Sequence, residues 1–179
     1  HPFDDGNGRI ARAIADLVGP APVRLIVGMS RAGTTWVSKE LSRHPAVLSY
    51  GETMVWGRKY RETDNADGSY SIELTRSRIL LPADYIDEYV GYATDGENSE
   101  RYEAGKLGHI DLDTLRAISS ELRACAQAVT SPMTPRAIFE QTNRVFAKHT
   151  GSSIVIESTP NHLNFLDRIL GAMPDAKIV

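Results

Sequence analysis

The stretch Val27-Gly28-Met29-Ser30-Arg31-Ala32-Gly33-Thr34-Thr35-Trp36 is the part of the sequence that decides the fold. It follows a short apolar run, Val23 to Val27, and leads into an amphipathic segment from Trp36 to His44. A strand, a glycine loop and a helix in this order surround an anion with backbone N–H groups. The glycine spacing is that of a Walker-type phosphate loop, but Thr34 stands where that loop carries lysine. The pattern therefore predicts an anion site whose cation is Arg31, and it argues against an ordinary ATPase or kinase.

The remainder of the chain alternates predicted strands and helices. Three helices begin at a capping residue, and in two of them proline follows the cap. These helices are predicted from Asp111 to about Val129, from Thr134-Pro135 to near Gly151, and from Thr159-Pro160 to near Gly171. Strands are predicted at Val23–Val27, Val47–Tyr50, Ser153–Glu157 and Lys177–Val179. The alternation predicts an α/β fold with a P-loop-like parallel sheet, flanking helices and an α-helical insertion.

The segment of residues 53–105 is polar, with loop signals at 64–69 and 95–98. We expect it to form an insertion that faces the substrate, and residues 53–130 to shape the substrate pocket. No pattern in this segment identifies the substrate. Two aromatic residues outside it, Trp36 and Phe139, are expected in the core.

The bulk composition is typical of a globular protein, with 41% hydrophobic and 24% charged residues. A net charge of −3 gives no support for a nucleic-acid partner, which usually requires a basic excess. The single Cys125 cannot form an internal disulfide, and no apolar run approaches the roughly 20 residues of a membrane span. We therefore expect a cytoplasmic protein without a membrane span, and the oligomeric state cannot be read from the sequence. The acidic residues at 64–67 and 95–100 are scattered unlike a metal loop, so no metal is expected.

Both ends of the sequence are unusual. The chain begins at His1 rather than at methionine, and residues 176–179 have the pattern of a strand that is cut short. We expect the sequence to be a piece of a longer protein at one or both ends.

The glycine loop resembles that of sulfotransferases that use 3′-phosphoadenosine 5′-phosphosulfate (PAPS). In that family the 5′-phosphosulfate loop reads approximately Gly-x-Pro-Arg/Lys-Ser-Gly-Thr-Thr-Trp, and this chain departs from it at Ser30 and Ala32. Further matches follow in the order and rough spacing of bacterial members, at His44-Pro45, Gly51-Glu52, residues 157–162 and residues 174–177. The resemblance covers residues 23–179, and we interpret residues 21–179 as the N-terminal portion of a sulfotransferase-like domain.

The resemblance implies transfer of a sulfuryl group from PAPS to a hydroxyl or amine of a small molecule, a glycan or a protein. Arg31 would offset charge on the leaving bridging oxygen, and Glu52 would be the general base. A sulfuryl group carries less charge than a phosphoryl group, so no metal is implied. The residues implied in donor binding are Ser30, Arg31, Ala32, Gly33, Thr34, Thr35 and Trp36.

Two departures from the family pattern bear on activity. Many relatives have Glu-Lys-Thr-Pro where this chain has Glu157-Ser158-Thr159-Pro160, so a cation expected near the sulfuryl group is missing. The segment that binds the 3′-phosphate in the family would follow Val179, so we expect weak donor affinity. His44 and His149 are expected at helix ends, His162 on a helix surface or in packing, and none of the three in catalysis.

Residues 1–12 resemble a second family, the Fic-domain proteins, which usually transfer AMP from ATP to a hydroxyl. Their active-site motif reads His-x-Phe-x-Asp/Glu-Gly-Asn-Gly-Arg-x-x-Arg, and this chain matches it at every defined position. By that resemblance His1 would be the base, Asp5 would hold magnesium, and phosphates would be held by Gly6, Asn7, Gly8, Arg9 and Arg12.

A general base must be held within about 3 Å of its proton by neighbouring structure. His1 has no such support in this sequence, so we interpret residues 1–20 as a Fic-motif remnant and linker. Two alternatives stay open at this point. One is a Fic-type adenylyltransferase that uses ATP and magnesium, and the other is an inactive nucleotide-binding or interaction module.

Overall fold

The computed structural model describes residues 23–29, 31–56, 62–64, 66, 70–72, 76–95 and 107–179. The predictions for the Fic-like motif, for the linker at 19–22 and for Ser30 lie outside the described residues. The predicted loops at 64–69 and 95–98 are described only in part.

The described elements are a mixture of strands and helices, as the sequence predicts. In chain order they are β1 (Arg24–Ile26), α1 (Thr34–Leu41), β2 (Val47–Gly51), β3 (Glu62–Asp64), β4 (Tyr70–Ile72), α2 (Arg76–Thr94), α3 (Leu112–Ala128), α4 (Pro135–Thr150), β5 (Ile154–Ser158), a 3-10 helix (Pro160–Phe165), α5 (Leu166–Ala172) and β6 (Lys177–Ile178). Each predicted strand is present, and its ends differ from the prediction by at most one residue.

Four of the strands form a parallel sheet in the order β2-β5-β1-β6. The register aligns Tyr50, Glu157 and Leu25 in one row, and Gly51, Ser158 and Ile26 in the next. The chain leaves β1 toward β2 on one side, while β6 lies on the other side of β1. In open α/β sheets this arrangement opens a crevice at the carboxyl ends of the strands, where ligands bind. The fold class predicted from the sequence is confirmed.

Both faces of the sheet are buried, which explains why its strands are short apolar runs. Alternate residues of a strand point to opposite faces. On one face, Ile26, Val47 and Ile156 pack with Leu41 of α1. On the other face, the sheet packs against the longer helices through two clusters, one containing Leu48, Tyr50, Val155 and Phe146, and the other containing Leu25, Trp56, Phe139 and Ile169.

The caps of α3 and α4 are confirmed. The Asp111 side chain accepts from the Thr114 N–H at 2.8 Å, and the Thr134 hydroxyl accepts from the Ala137 N–H at 3.2 Å. Gly151, with φ of 72°, ends α4 in the left-handed conformation that suits glycine. The third predicted cap is wrong, because Thr159 makes no capping bond and is followed by a 3-10 helix. Its hydroxyl bonds to Glu157 instead.

Helix α1 differs from its predicted range, Trp36 to His44. It begins at Thr34, and its buried residues are Thr34, Ser38 and Leu41. Trp36 lies two residues from both Thr34 and Ser38, and therefore on the opposite side of the helix. It is 61% exposed, so its predicted place in the core is wrong, whereas Phe139 at 1% is in the core as predicted.

Helix α2 lies in the segment that the sequence analysis treated as polar loops. Pro82 falls within this helix and obscured it, because proline usually interrupts a helix interior. The helix buries Ile79, Ala83 and Ile86 at helical spacing and packs against α3. Arg123 of α3 bonds to two of its carboxylates, at 2.9 Å to Asp84 and 2.5 Å to Asp87.

Candidate active site

Three chain segments meet at the carboxyl edge of the sheet. They follow Ile26, Gly51 and Ser158, which the register places side by side on β1, β2 and β5. Neighbouring strands lie about 4.8 Å apart, so the loops after β1 and β2 begin about 10 Å from each other. The Gly28 N–H donates to the Pro160 carbonyl at 3.3 Å, which joins the glycine loop to the segment after β5.

The glycine loop turns tightly before α1. The Ala32 N–H donates to the Met29 carbonyl at 3.0 Å, and Arg31 and Gly33 have φ values of 69° and 84°. A Cβ atom at Gly28 would lie 2.8 Å from Thr34 Cγ2, closer than Cβ contacts allow. Glycine at 28 therefore avoids a close contact with the Thr34 side chain, and glycine at 33 suits the left-handed backbone.

The loop exposes the groups that an anion needs. The first N–H groups of a helix have no intrahelical partner, and in α1 these belong to Thr34, Thr35 and Trp36. The Arg31 side chain is exposed, and within the described part of the chain no acidic side chain pairs with it. Ala32, Gly33 and Thr35 are also exposed, whereas Thr34 is buried. The arrangement can receive an anion without a lysine in the loop.

Glu52 begins the loop after β2 and is exposed beside a cleft of about 340 Å³. The cleft is lined by Glu52, Met54, Leu81, Asp84, Tyr85 and Glu88. The last four of these lie on one face of α2, at the helical spacing that the sequence analysis missed. Burial raises the pKa of the Tyr85 phenol, and the charge of Glu52 raises it further, so the phenol stays protonated and can donate a hydrogen bond.

The loop after β2 has an unusual backbone. Glu52 and Met54 have φ values of 60° and 48°, in the left-handed region that non-glycine residues rarely adopt. Each such residue costs about 1–3 kcal/mol and persists only where its surroundings hold it. One such contact comes from α2, where Arg78 donates to the Val55 carbonyl at 2.6 Å.

A second contact is a buried polar network that the sequence did not predict. Glu157 is 0% exposed, and its Oε1 accepts from the hydroxyls of Thr53, at 2.8 Å, and Thr159. Its Oε2 lies 3.1 Å from Nδ1 of His162, which is also 0% exposed. The Thr53 N–H donates to the Thr159 hydroxyl at 3.1 Å, which closes the network. His162 is therefore a packing residue with a polar role, not a surface residue.

The hydrogen bonds of this network indicate where the His162 ring carries its proton and that the Glu157 carboxyl is ionised. The Trp56 N–H donates to His162 Nε2 at 3.4 Å, so the ring carries its proton on Nδ1 and donates to Glu157. Burial alone would raise the pKa of Glu157, but the His162 ring and the two threonine hydroxyls outweigh it and hold the pKa below the ordinary value. Glu157 is therefore a buried, ionised acceptor at neutral pH.

The other histidines among the described residues lie away from this edge. His44 and His149 line a cavity of about 300 Å³ near the start of β2, at the opposite edge of the sheet. His149 Nε2 lies 2.8 Å from Glu121 Oε2, within hydrogen-bond distance, at the end of α4. In the described ranges, no group of three or more His, Cys, Asp or Glu side chains is placed to hold a metal ion. No helix in the described part of the chain is both long and apolar enough to cross a membrane.

Comparison with known families agrees with the fold and with the glycine loop. A family model described as the sulfotransferase family matches residues 22–179. No curated protein and no solved structure matches the chain. The match includes the glycine loop, Glu52 and the Glu157 network, and it extends over most of the 179 residues. The chain therefore belongs to the sulfotransferase family.

Proposed function

We propose that the site transfers a sulfuryl group from PAPS to a hydroxyl or amine acceptor bound in the cleft beside Glu52. The observation that carries this proposal is the meeting of an anion loop and a carboxylate at one sheet edge. The loop supplies Arg31 and the first-turn amides, and the strand two positions away in the sheet supplies Glu52.

In this proposal the glycine loop binds the donor. The 5′-phosphosulfate would lie against the N–H groups of Thr34 and Thr35, with the Arg31 guanidinium beside the bridging oxygen. That oxygen gains charge as the bond to sulfur breaks, and a cation placed there favours the transition state over the bound donor. Trp36 is exposed beside the loop and available to the nucleoside part of the donor.

The acceptor end falls to Glu52 and the cleft. The acceptor oxygen or nitrogen attacks sulfur opposite the leaving oxygen, Glu52 takes its proton, and 3′-phosphoadenosine 5′-phosphate leaves. Glu52 shares the cleft with Asp84 and Glu88, whose charges disfavour an anionic acceptor. Ser158 stands where many relatives have lysine, so Arg31 is the cation on which the loop depends.

The experiment is transfer from ³⁵S-labelled PAPS to 2-naphthol, a tyrosine peptide and glucosamine by the full chain. We expect labelled product with at least one acceptor, and a loss of about 100-fold in rate for Arg31→Ala, in the range of other electrostatic groups of this kind. Arg116→Ala is the matched control, because Arg116 is an exposed arginine on α3 that forms an ion pair with Asp113. Equal rates for Arg31→Ala and the unmodified chain would contradict the mechanism.

A second reading of the same chain is tested in parallel. ATP with magnesium replaces PAPS, and label transfer that requires His1 would favour the Fic-type adenylyltransferase. The domain division at residue 21 and a cytoplasmic location both stay predictions.

A further inference from the structure

Thr53 lies between the two left-handed residues of the loop after β2. Glu52 precedes it with φ of 60°, and Met54 follows it with φ of 48°. A conformation of this kind needs fixed neighbours on both sides. Thr53 is fully buried and bonded twice, through its N–H to Thr159 and through its hydroxyl to Glu157.

The groups that hold Thr53 come from a different part of the chain. Glu157 is the penultimate residue of β5, just before Ser158, and His162 follows in the 3-10 helix. The His162 ring also accepts from the backbone N–H of Trp56 at 3.4 Å, so the network is hydrogen-bonded to the loop at both residue 53 and residue 56. Thr53, the neighbour of Glu52, is thus held by contacts more than 100 residues away in sequence.

A buried carboxylate needs a reason to be there. Replacing a buried ionic group by a packed apolar one is often neutral or stabilising, so stability alone does not explain Glu157. Its three hydrogen bonds are all made within the edge that carries the glycine loop and Glu52. Orientation of that edge is what the network provides beyond stability.

We propose that Glu157 and His162 are positioning residues that orient the Glu52 carboxylate through Thr53. The part of this that concerns catalysis rests on the proposed sulfuryl transfer, with Glu52 as base. The part that concerns the backbone of residues 52–56 does not.

The experiment uses three variants of the full chain. Thr53→Val keeps the shape of the side chain and removes the donor to Glu157, whereas Thr53→Ser keeps the donor. Thr142→Val is the matched control, because Thr142 is equally buried at 1% and its hydroxyl has no hydrogen-bond partner among the described residues. The first readout is amide hydrogen exchange of residues 52–56 against that of α4. The second is kcat and KM for PAPS with 2-naphthol, glucosamine or the tyrosine peptide, whichever accepts.

In Thr53→Val we expect exchange at 52–56 to rise about 10-fold or more, the equivalent of one hydrogen bond to a charged group. We expect kcat to fall by a similar factor while KM for PAPS stays the same, because Thr53 makes no bond to the glycine loop. Thr53→Ser should restore both values, and Thr142→Val should change neither.

Unchanged exchange at 52–56 in Thr53→Val would overturn the positioning role whatever the activity. Faster exchange with full kcat would overturn its catalytic part, as would a kcat loss equal to that of Thr142→Val. If the unmodified chain transfers no label to any acceptor, the proposed function fails, and the exchange measurement still decides whether the network holds the loop.

Discussion

The substitution Glu157→Gln tests whether the buried network carries an ionised carboxylate. All three side-chain donors aim at Glu157, namely the hydroxyls of Thr53 and Thr159 and Nδ1 of His162. A glutamine has one acceptor oxygen and one amide group that only donates. If the oxygen faces the threonines, the amide faces the N–H of His162. The His162 ring cannot move its proton to Nε2 without losing the hydrogen bond from the backbone N–H of Trp56.

The expected loss in the free energy of unfolding follows from the donor that Glu157→Gln leaves without an acceptor. Leaving a buried donor without its acceptor costs about 1–3 kcal/mol, and more where the lost acceptor carried a charge, so we expect a loss of about 3–4 kcal/mol. Glu157 is 0% exposed, so water cannot restore the missing bond in the folded chain. For a slope of about 2 kcal/mol per molar urea, the unfolding midpoint should fall by about 2 M.

The assay is urea unfolding followed by circular dichroism at pH 7, then repeated at lower pH. The folded pKa of Glu157 is lowered, so the folded chain binds fewer protons than the unfolded chain between the two pKa values. The stabilisation is complete above about pH 5.5, and it declines as the pH falls through the ordinary glutamate range toward the lowered pKa. Glu157→Gln should lack this part of the pH dependence and keep the part due to Asp111, Glu121 and Asp175, whose pKa values are also lowered.

A cost below about 1 kcal/mol would refute the argument, because it would mean that the donors find other partners. So would an unchanged pH dependence in the variant. If Glu157→Gln does not fold, Thr53→Val removes only one of the donors and should cost about 1.5–3 kcal/mol by the same unfolding assay.

Four further substitutions have expected outcomes. Gly28→Ala should weaken PAPS binding in a calorimetric titration, because the added Cβ would lie 2.8 Å from Thr34 Cγ2. Gly91→Ala is the control, since its Cβ would have no described atom within 4 Å. This second substitution should leave PAPS binding unchanged and stabilise α2 by up to about 1 kcal/mol. A loss of affinity in both or in neither would contradict this. Ser49→Ala removes a buried hydroxyl without a partner and should leave the free energy of unfolding unchanged or raised, so a loss above about 1 kcal/mol would be inconsistent. Trp36→Ala should change the free energy of unfolding by about 0.5 kcal/mol or less, since the side chain is 61% exposed. A loss near the 3–5 kcal/mol typical of a buried tryptophan would contradict this placement.

Local signals in the sequence were sufficient for much of the fold. The strands were predicted from apolar runs, because both faces of the sheet are covered. The caps at Asp111 and Thr134 were predicted because each is followed directly by its helix. Thr159 has the same local pattern, yet its hydroxyl donates to Glu157 and accepts from the Thr53 N–H rather than from the N–H groups of the following helix.

Other features depend on contacts that sequence patterns do not contain. Trp36 was expected in the core from its type alone, but the buried face of α1 is set by Thr34, Ser38 and Leu41. Helix α2 was missed because Pro82 and the polar surroundings outweighed its apolar spacing. The buried network joins Thr53 to Glu157 across 104 positions, so only the pairing of β2 with β5 brings them together.

The candidate site could be predicted in its local part but not in its distant part. The glycine loop and Glu52 could be proposed from the sequence because each lies at the end of a predicted strand. The wall of the cleft on α2 could have been found from Leu81, Asp84, Tyr85 and Glu88, which recur at helical spacing. No short-range signal separates Glu157 from any other glutamate that follows an apolar strand.

The most direct test of the account is a calorimetric titration of the folded chain with PAPS, beside Arg31→Ala and the control Arg116→Ala. We expect the unmodified chain and the control to bind PAPS without added metal, and Arg31→Ala to bind PAPS much more weakly. Equal binding by Arg31→Ala, or binding of ATP with magnesium in place of PAPS, would contradict the assignment of the glycine loop as the donor site.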